Sequence, residues 1–194
     1  IGASIGGYFV FTDGFTIAII LGFAILSIYF YSTKIVDSGL GEFFVAVKGS
    51  MIVIGTIFIQ SGQITLESIL AGIIVGSLSS LVLFIVSFPD HDADKSKGRK
   101  TLVIVVGKQN AVKLFWIFPL ISYCAILIGV ALELFPIISL ISFVGIPLMI
   151  KSGFGLMKNY DSVDELFPYM SSTLMFSRIT GILFVISFLI PLLQ

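Results

Sequence analysis

Residues 66–102 contain the stretch that decides the fold class, and they read LESILAGIIVGSLSSLVLFIVSFPDHDADKSKGRKTL. The first part, 66–88, is an almost unbroken apolar run, and the remainder is the only densely charged segment of the chain. A helix needs ~20 mostly apolar residues to cross a bilayer. The stretch therefore predicts a membrane-spanning helix that ends at a charged loop.

The whole chain has the composition of a membrane protein. Of its 194 residues, 57% are hydrophobic and 11% are charged, whereas soluble domains carry about 25% charged residues. The formal net charge is zero, so the chain lacks the basic excess that marks nucleic-acid-binding proteins. Cys124 is the single cysteine, which excludes an internal disulfide. We therefore expect a lipid bilayer around the chain, no nucleic-acid partner and no obligate protein partner.

Hydropathy predicts an all-α bundle of about six transmembrane helices. The predicted spans, which turn residues and glycine-rich segments separate, are 15–32, 42–60, 66–88, 110–132, 136–156 and 173–193. Small residues such as Gly72 and Gly76 allow close helix approach, so we expect one packed transmembrane domain over 1–194. Residues 1–10 are apolar but too short to span a bilayer. We interpret them as the end of a helix, and the chain as the later part of a longer protein.

The distribution of basic residues predicts the orientation of these helices. All 11 Lys and Arg residues fall in or beside connections on one side of the predicted bundle. The connections on the opposite side carry only the acidic residues Asp13, Glu67 and Glu133. Because short loops rich in Lys and Arg stay in the cytoplasm, we expect a multi-pass protein of the cell membrane whose loop 87–108 is cytoplasmic.

This loop carries a pattern suited to a metal and a diphosphate. Asp90 follows Pro89, which suits the first turn of a helix, and Asp94 stands four residues later, so both carboxylates would lie on one helical face. Proteins hold Mg²⁺ with one or two carboxylates together with phosphate oxygens and water. Gly98 can end the short helix and leave Arg99 in the loop, within reach of a phosphate. The pattern predicts a magnesium site that handles a diphosphate.

A solvated loop without a function would explain the basic residues, because the orientation of the chain already requires them. It does not explain three Asp residues within 90–94, since acidic residues contribute little to orientation. His91, the single histidine, is expected to face solvent rather than to act as a base.

The same residues carry a family resemblance. Residues 90–107, DHDADKSKGRKTLVIVVG, resemble the second Asp-rich motif of the UbiA superfamily of membrane prenyltransferases, roughly D-x-x-x-D-x-x-x-G-x-x-T-L with a later glycine. Upstream, the segments 31–32 (YS), 39–43 (GLGEF) and 55–62 (GTIFIQSG) look like the branch that prenylates 1,4-dihydroxy-2-naphthoate. This branch commonly has an Asn shortly before the first Asp, where this chain reads VSFP at 86–89.

The resemblance implies a bundle of nine transmembrane helices around a central cavity, and the six predicted spans would be the last six. The first Asp-rich motif of the family lies on earlier helices and has no match in residues 1–194. The chain would then hold half of the metal site and would be inactive alone.

The resemblance also implies a reaction and the roles of individual residues. Mg²⁺ would bridge the Asp-rich motifs to a polyprenyl diphosphate, whose ionisation gives an allylic carbocation that the aromatic acceptor attacks. The residues implied to hold the metal are Asp90 and Asp94. Those implied to assist or bind the diphosphate are Lys95, Arg99, Lys100, Tyr31, Lys34 and Lys48. Lys48, two turns into its span, would either face the cavity or extend to the cytoplasmic surface.

Three alternatives to this interpretation remain open. Within the same fold, 4-hydroxybenzoate, a geranylgeranylglyceryl phosphate, homogentisate or a porphyrin could replace 1,4-dihydroxy-2-naphthoate as the acceptor. A non-enzymatic membrane transporter would suit an intramembrane Lys48, although no predicted span carries the central Asp, Glu or His of proton-coupled carriers. A degenerate homologue that binds without turnover is a third reading.

Overall fold

The computed structural model describes residues 2–30 and 39–190. Over these ranges the chain is helical with short connections and forms no β-strand. The helices in chain order are α1 (Gly2–Asp13), α2 (Phe15–Phe30), α3 (Gly41–Ser61), α4 (Leu66–Val86), α5 (His91–Ser96), α6 (Leu102–Val106), α7 (Lys108–Leu114), α8 (Ile117–Ala131), a 3₁₀ helix (Ile137–Gly145), α9 (Ile146–Asn159) and α10 (Val163–Leu189).

Five helical segments of the described chain are long and apolar enough to cross a membrane. They are Gly41–Ser61, Leu66–Val86, Lys108–Ala131, Ile137–Asn159 and Val163–Leu189. The first predicted span, 15–32, contains α2, whose 16 residues are fewer than the ~20 that cross a bilayer, and residues 31–32 lie outside the described ranges. The prediction of an all-α membrane bundle is confirmed, with five spans of full length among the described residues.

Helix α4 is the centre of the described bundle. It packs against α3, α8 and α10, and its residues Ile74, Leu81 and Phe84 are fully buried. Close approach to α3 depends on small residues: a Cβ atom added to Gly76 would collide with the Ala46 carbonyl oxygen. The bundle is therefore assembled around a helix whose small residues let α3 pack directly on its backbone.

The end of α3 and the start of α4 are determined by residues that favour a helix end and a helix start. Gly62, with φ of 70°, ends α3 in the left-handed conformation that glycine adopts readily. The Thr65 hydroxyl accepts a hydrogen bond from the Ser68 N–H at 3.2 Å, and the Ser68 hydroxyl accepts one from the Thr65 N–H at 3.1 Å. This reciprocal pair satisfies two N–H groups that the first turn of α4 leaves without helical partners.

The last two predicted spans differ from the observed helices. The span predicted over 136–156 is divided, because the 3₁₀ helix leads into α9 near Pro147, whose ring nitrogen cannot donate the hydrogen bond of a continuous α-helix. The span predicted over 173–193 is wrong at its start: α10 begins at Val163 and continues through Pro168. Pro168 is tolerated because the carbonyl that it leaves unbonded belongs to Asp164, which is exposed.

The connections rich in basic residues meet at one end of the bundle, which we call the basic end. Gly39, before α3, lies against Val105 of α6. The Lys108 ammonium lies 4.0 Å from a carboxylate oxygen of Asp161, between α9 and α10. Arg178 departs from the predicted distribution of basic residues, because it lies about halfway along α10 with an exposed side chain rather than beside a connection.

Candidate functional site

The Asp-rich segment forms a short helix as predicted, but the helix begins at His91, so Pro89 and Asp90 precede it. Phe88, 1% exposed, packs edge-to-face on Phe84 with ring centroids 5.4 Å apart and so anchors the segment to α4. The Asp94 N–H donates to the Asp90 carbonyl oxygen at 2.8 Å, which is the helical i to i+4 relation. The Asp94 side chain is 13% exposed, whereas that of Asp92 is 86% exposed. Asp94 is thus the more buried residue of this segment, whereas Asp90 and Asp92 are both exposed.

Gly98 ends this helix and turns the chain back on it, as predicted. Its φ is 76°, and its N–H donates to the Lys95 carbonyl at 3.1 Å. The Arg99 N–H donates to the Asp94 carbonyl at 3.0 Å, which completes a glycine-dependent helix stop. The Arg99 guanidinium thereby donates to an Asp94 carboxylate oxygen at 3.0 Å. The turn at Gly98 thus brings two residues of the predicted site, Asp94 and Arg99, into side-chain contact.

His91 and Asp92 form a second pair on the other side of α5. The His91 Nδ1 atom lies 2.7 Å from an Asp92 carboxylate oxygen. This hydrogen bond, together with the positive charge of Lys108, holds the pKa of the Asp92 carboxyl below its usual range. The His91 side chain is 14% exposed, so the expectation that it faces solvent is wrong. The ring is largely shielded from solvent, and its partner, the Asp92 carboxylate, is exposed.

The residues of this segment fit one side of a magnesium site. Two carboxylates four residues apart supply the number of protein ligands that Mg²⁺ usually takes beside phosphate oxygens and water. Residues 2–30 and 39–190 contain no group of three His, Cys, Asp or Glu side chains close enough to hold a metal by themselves. Asp90 and Asp94 would therefore need oxygen ligands from a bound phosphate.

An apolar cavity of about 440 Å³ opens between α3, α4 and the segments α6 to α8. Its walls are aliphatic and aromatic side chains, with three serines on α3 and α4. Leu102, which follows directly on the charged loop, forms part of its wall at the basic end. Of the described residues that line the cavity, Glu42 alone is charged. The cavity thus runs from the charged loop into the part of the bundle that lies within the bilayer.

The other predicted site residues are dispersed. Lys95 lies in the last turn of α5 and Lys100 precedes α6, and both side chains are exposed. Lys48 is exposed on α3 and does not line the cavity. Tyr31 and Lys34 lie outside the described residues. Among the described residues, Asp94 and Arg99 are the predicted pair that a side-chain contact joins.

Glu42 is the residue that reasoning from the sequence did not single out. Its side chain is 3% exposed and lines the cavity at the basic end. The available signal was a carboxylate within the predicted span 42–60, directly after the glycines of the 39–43 segment. That signal is weak, because an acidic residue in the first turn of a helix is ordinary.

The described residues combine an α-helical bundle of apolar helices with an Asp-x-x-x-Asp segment, a basic loop and an adjoining apolar cavity, and they define a multi-helix integral membrane protein. Comparison with known families agrees with this class. The family model of the UbiA prenyltransferase family matches residues 1–190. The chain belongs to this family.

Two relatives show which members of the family the chain is similar to. The 1,4-dihydroxy-2-naphthoate octaprenyltransferase of Bacillus subtilis (strain 168) is 37% identical over 75 residues, which are 38% of this chain and 24% of that protein. The protein of the same name from Escherichia coli (strain K12) is 30% identical over 157 residues, which are 76% of this chain and 48% of that protein. The matched region thus spans about half or less of each relative's length. No solved structure matches the chain.

Proposed function

We propose that the protein transfers a polyprenyl group from its diphosphate to an aromatic acceptor in a Mg²⁺-dependent reaction. The observation that carries this proposal is the Asp90–Asp94 helix with Arg99 folded back onto it, next to an apolar cavity, in a chain of the UbiA family. The acceptor we favour is 1,4-dihydroxy-2-naphthoate, the compound named in both relatives. The product would be a precursor of menaquinone.

The residues of the charged loop would have two roles at the diphosphate: some bind the metal, and others bind the anion. Asp90 and Asp94 would hold Mg²⁺, which when bound neutralises charge on the departing diphosphate. The Arg99 guanidinium lies 3.0 Å from Asp94 and so stands where it can also donate to a diphosphate oxygen bound there. Lys95 and Lys100 add positive charge at the same end of the cavity. Lys48, Tyr31 and Lys34 remain candidates for the same anion.

The cavity supplies the environment for the isoprenoid chain. Its lining is apolar apart from Glu42 and three serines, which favours a hydrocarbon over water. Exclusion of water also protects an allylic carbocation from hydrolysis. A product that leaves laterally enters the lipid bilayer directly. We further propose that residues 1–194 are part of a single transmembrane domain of the cell membrane whose loop 87–108 faces the cytoplasm.

Prenyl transfer by the full-length protein tests this function. Membranes that contain it are incubated with a radiolabelled polyprenyl diphosphate and a panel of aromatic acceptors, with Mg²⁺ or with excess EDTA. We expect labelled product from 1,4-dihydroxy-2-naphthoate in the Mg²⁺ sample and none in the EDTA sample. Transfer to 4-hydroxybenzoate or a geranylgeranylglyceryl phosphate instead would correct the acceptor. Folded protein that transfers to none of them would contradict the proposal and favour a transporter.

A further inference from the structure

Glu42 is a buried carboxylate whose charge has no hydrogen-bond donor in the described structure. It stands in the first turn of α3, and both of its carboxylate oxygens are buried without a hydrogen-bond partner among residues 2–30 and 39–190. The backbone amides of Glu42 and Leu102 lie near the carboxylate, but neither completes a hydrogen bond to it. Because a buried carboxylate without donors is strongly unfavourable, this side chain is suited to bind a ligand that donates.

The serines around the cavity do not supply that donor. The Ser80 hydroxyl donates to the main-chain carbonyl of Glu42. Ser50 donates to main-chain carbonyls of α3 and α4, both at 2.9 Å, and Ser77 donates to one within α4 at 2.8 Å. Their hydroxyl hydrogens are already used, and the remaining lining is apolar. The described residues around the cavity thus offer Glu42 no side-chain donor, and a molecule bound in the cavity can supply one.

Glu42 is also separate from the metal-binding pair. No group of three possible metal ligands forms among the described residues, so Glu42 does not join Asp90 and Asp94 in one cluster. A diphosphate is an anion that this carboxylate repels, and an isoprenoid chain has no polar hydrogen to donate. Of the molecules in the proposed reaction, the aromatic acceptor alone combines an apolar ring with hydroxyl donors.

We propose that Glu42 binds the aromatic acceptor by accepting a hydrogen bond from a ring hydroxyl group and takes up the hydroxyl proton during transfer. This inference rests on the proposed function. As a ring carbon forms its bond to the first carbon of the prenyl group, the bond from that carbon to the diphosphate oxygen breaks. The electron pair of the broken bond leaves with the diphosphate, and the hydroxyl proton passes to Glu42. The ring is left as a ketone, and Glu42 becomes a neutral acid, which the apolar cavity holds at lower cost than the anion.

This contact fixes the orientation of the acceptor. An acceptor that carries its own carboxylate, as a hydroxynaphthoate does, keeps that group away from Glu42 because like charges repel strongly where water is excluded. The hydroxyl group therefore points towards α3, and the acceptor carboxylate points away from it. Glu42 thus selects hydroxylated rings over rings whose hydroxyl is blocked.

The test compares acceptors and variants in the full-length protein. Wild type, Glu42→Gln and Glu67→Gln are assayed with 1,4-dihydroxy-2-naphthoate and with each of its two monomethyl ethers. Glu67 is the matched control, because it is the second residue of α4 as Glu42 is of α3, but it is exposed at the opposite end of the bundle. We expect wild type and Glu67→Gln to prefer the free hydroxyl over one ether by about 10- to 100-fold, as for a hydrogen bond to a charged group.

The Glu42→Gln variant is expected to lose that preference. Its kcat/KM for the dihydroxy acceptor falls towards the value for the ether, while the KM for the prenyl diphosphate stays within about twofold. A folded Glu42→Gln that discriminates as wild type does, or that changes only the KM for the prenyl diphosphate, overturns the inference but leaves the proposed function intact. Absence of transfer in wild type overturns both. If Glu42→Gln does not fold, Glu42→Asp, which withdraws the carboxylate from the ring, is compared in the same way.

Discussion

At the scale of single residues, Mg²⁺ and the Arg99 guanidinium compete for the Asp94 carboxylate. Asp94 is proposed to bind Mg²⁺, yet its carboxylate is already paired with the Arg99 guanidinium at 3.0 Å. A cation beside a carboxylate competes with a metal for its oxygens. Once a metal and a diphosphate are present, the same guanidinium can turn to the phosphate oxygens, which it matches in geometry. Arg99 would then oppose binding of the metal alone and favour binding of the metal with the diphosphate.

Replacement of Arg99 by Gln separates these two effects. We expect Mg²⁺ alone to bind about 2- to 5-fold more tightly, because a partly exposed ion pair is worth up to about 1 kcal/mol. We expect a non-hydrolysable prenyl thiolodiphosphate to bind more weakly in the presence of Mg²⁺. Isothermal titration calorimetry of the purified full-length protein measures both. Lys97→Gln, an exposed cation in the same loop, is the control, and equal effects of the two substitutions would contradict a specific role for Arg99.

At the scale of helices, the ends were predictable where a few neighbouring residues determine them. Gly62 and Gly98 end helices because their backbone conformation, φ of 70° and 76°, suits glycine. Thr65 begins α4 through its own side chain. These are local effects, so the sequence contains all the information that they need. The start of α10 was not predictable in this way, because Pro168 signals a helix end and the packing of α10 against α4 and α9 overrides it.

The contact between α3 and α4 gives a prediction for the pair of helices. Gly76→Ala is expected to destabilise the protein by about 1–3 kcal/mol, because the added methyl group meets the Ala46 carbonyl and would push α3 away. The same shift would distort the cavity that these helices line. Thermal unfolding in detergent, followed by the intrinsic fluorescence of Trp116, measures the change.

Gly181→Ala is the control for this substitution. Gly181 is also inside a helix, but a Cβ atom there meets no neighbour within 4 Å. Its replacement should be neutral or slightly stabilising, because alanine is the better helix former. Equal melting temperatures for Gly76→Ala and wild type would show that the two helices do not depend on this close approach.

At the scale of the whole molecule, the fold class and the chemistry of the charged loop were predictable, and the cavity was not. Long apolar spans and an i, i+4 pair of carboxylates are patterns within one helix. The cavity depends on how α3, α4 and α8 meet, and the burial of Glu42 depends on that arrangement. From the sequence alone, a carboxylate near the start of a span is expected to lie at the surface, and only the packing of the helices shows that Glu42 is buried.

The orientation of the chain gives a further prediction at this scale. In a background in which Cys124 and any other native cysteine of the full-length protein are replaced by Ser, Lys97→Cys lies in the charged loop and Gln63→Cys lies in the connection between α3 and α4, at the opposite end. A membrane-impermeant maleimide should label Lys97→Cys only in inverted vesicles and Gln63→Cys only in right-side-out vesicles, as the distribution of basic residues requires. The reverse pattern would contradict the cytoplasmic placement of the loop 87–108.

The central claim is that Asp94, on one face of α5, holds the metal at which the diphosphate departs. The most direct measurement compares Mg²⁺-dependent prenyl transfer by full-length Asp94→Asn and Asp92→Asn. These are the same substitution two positions apart, on opposite faces of one short helix. We predict a loss of more than about 100-fold for Asp94→Asn, as expected when a metal loses a ligand. We predict a change within about twofold for Asp92→Asn, as is usual for an exposed site. Equal activity of the two variants would contradict the account.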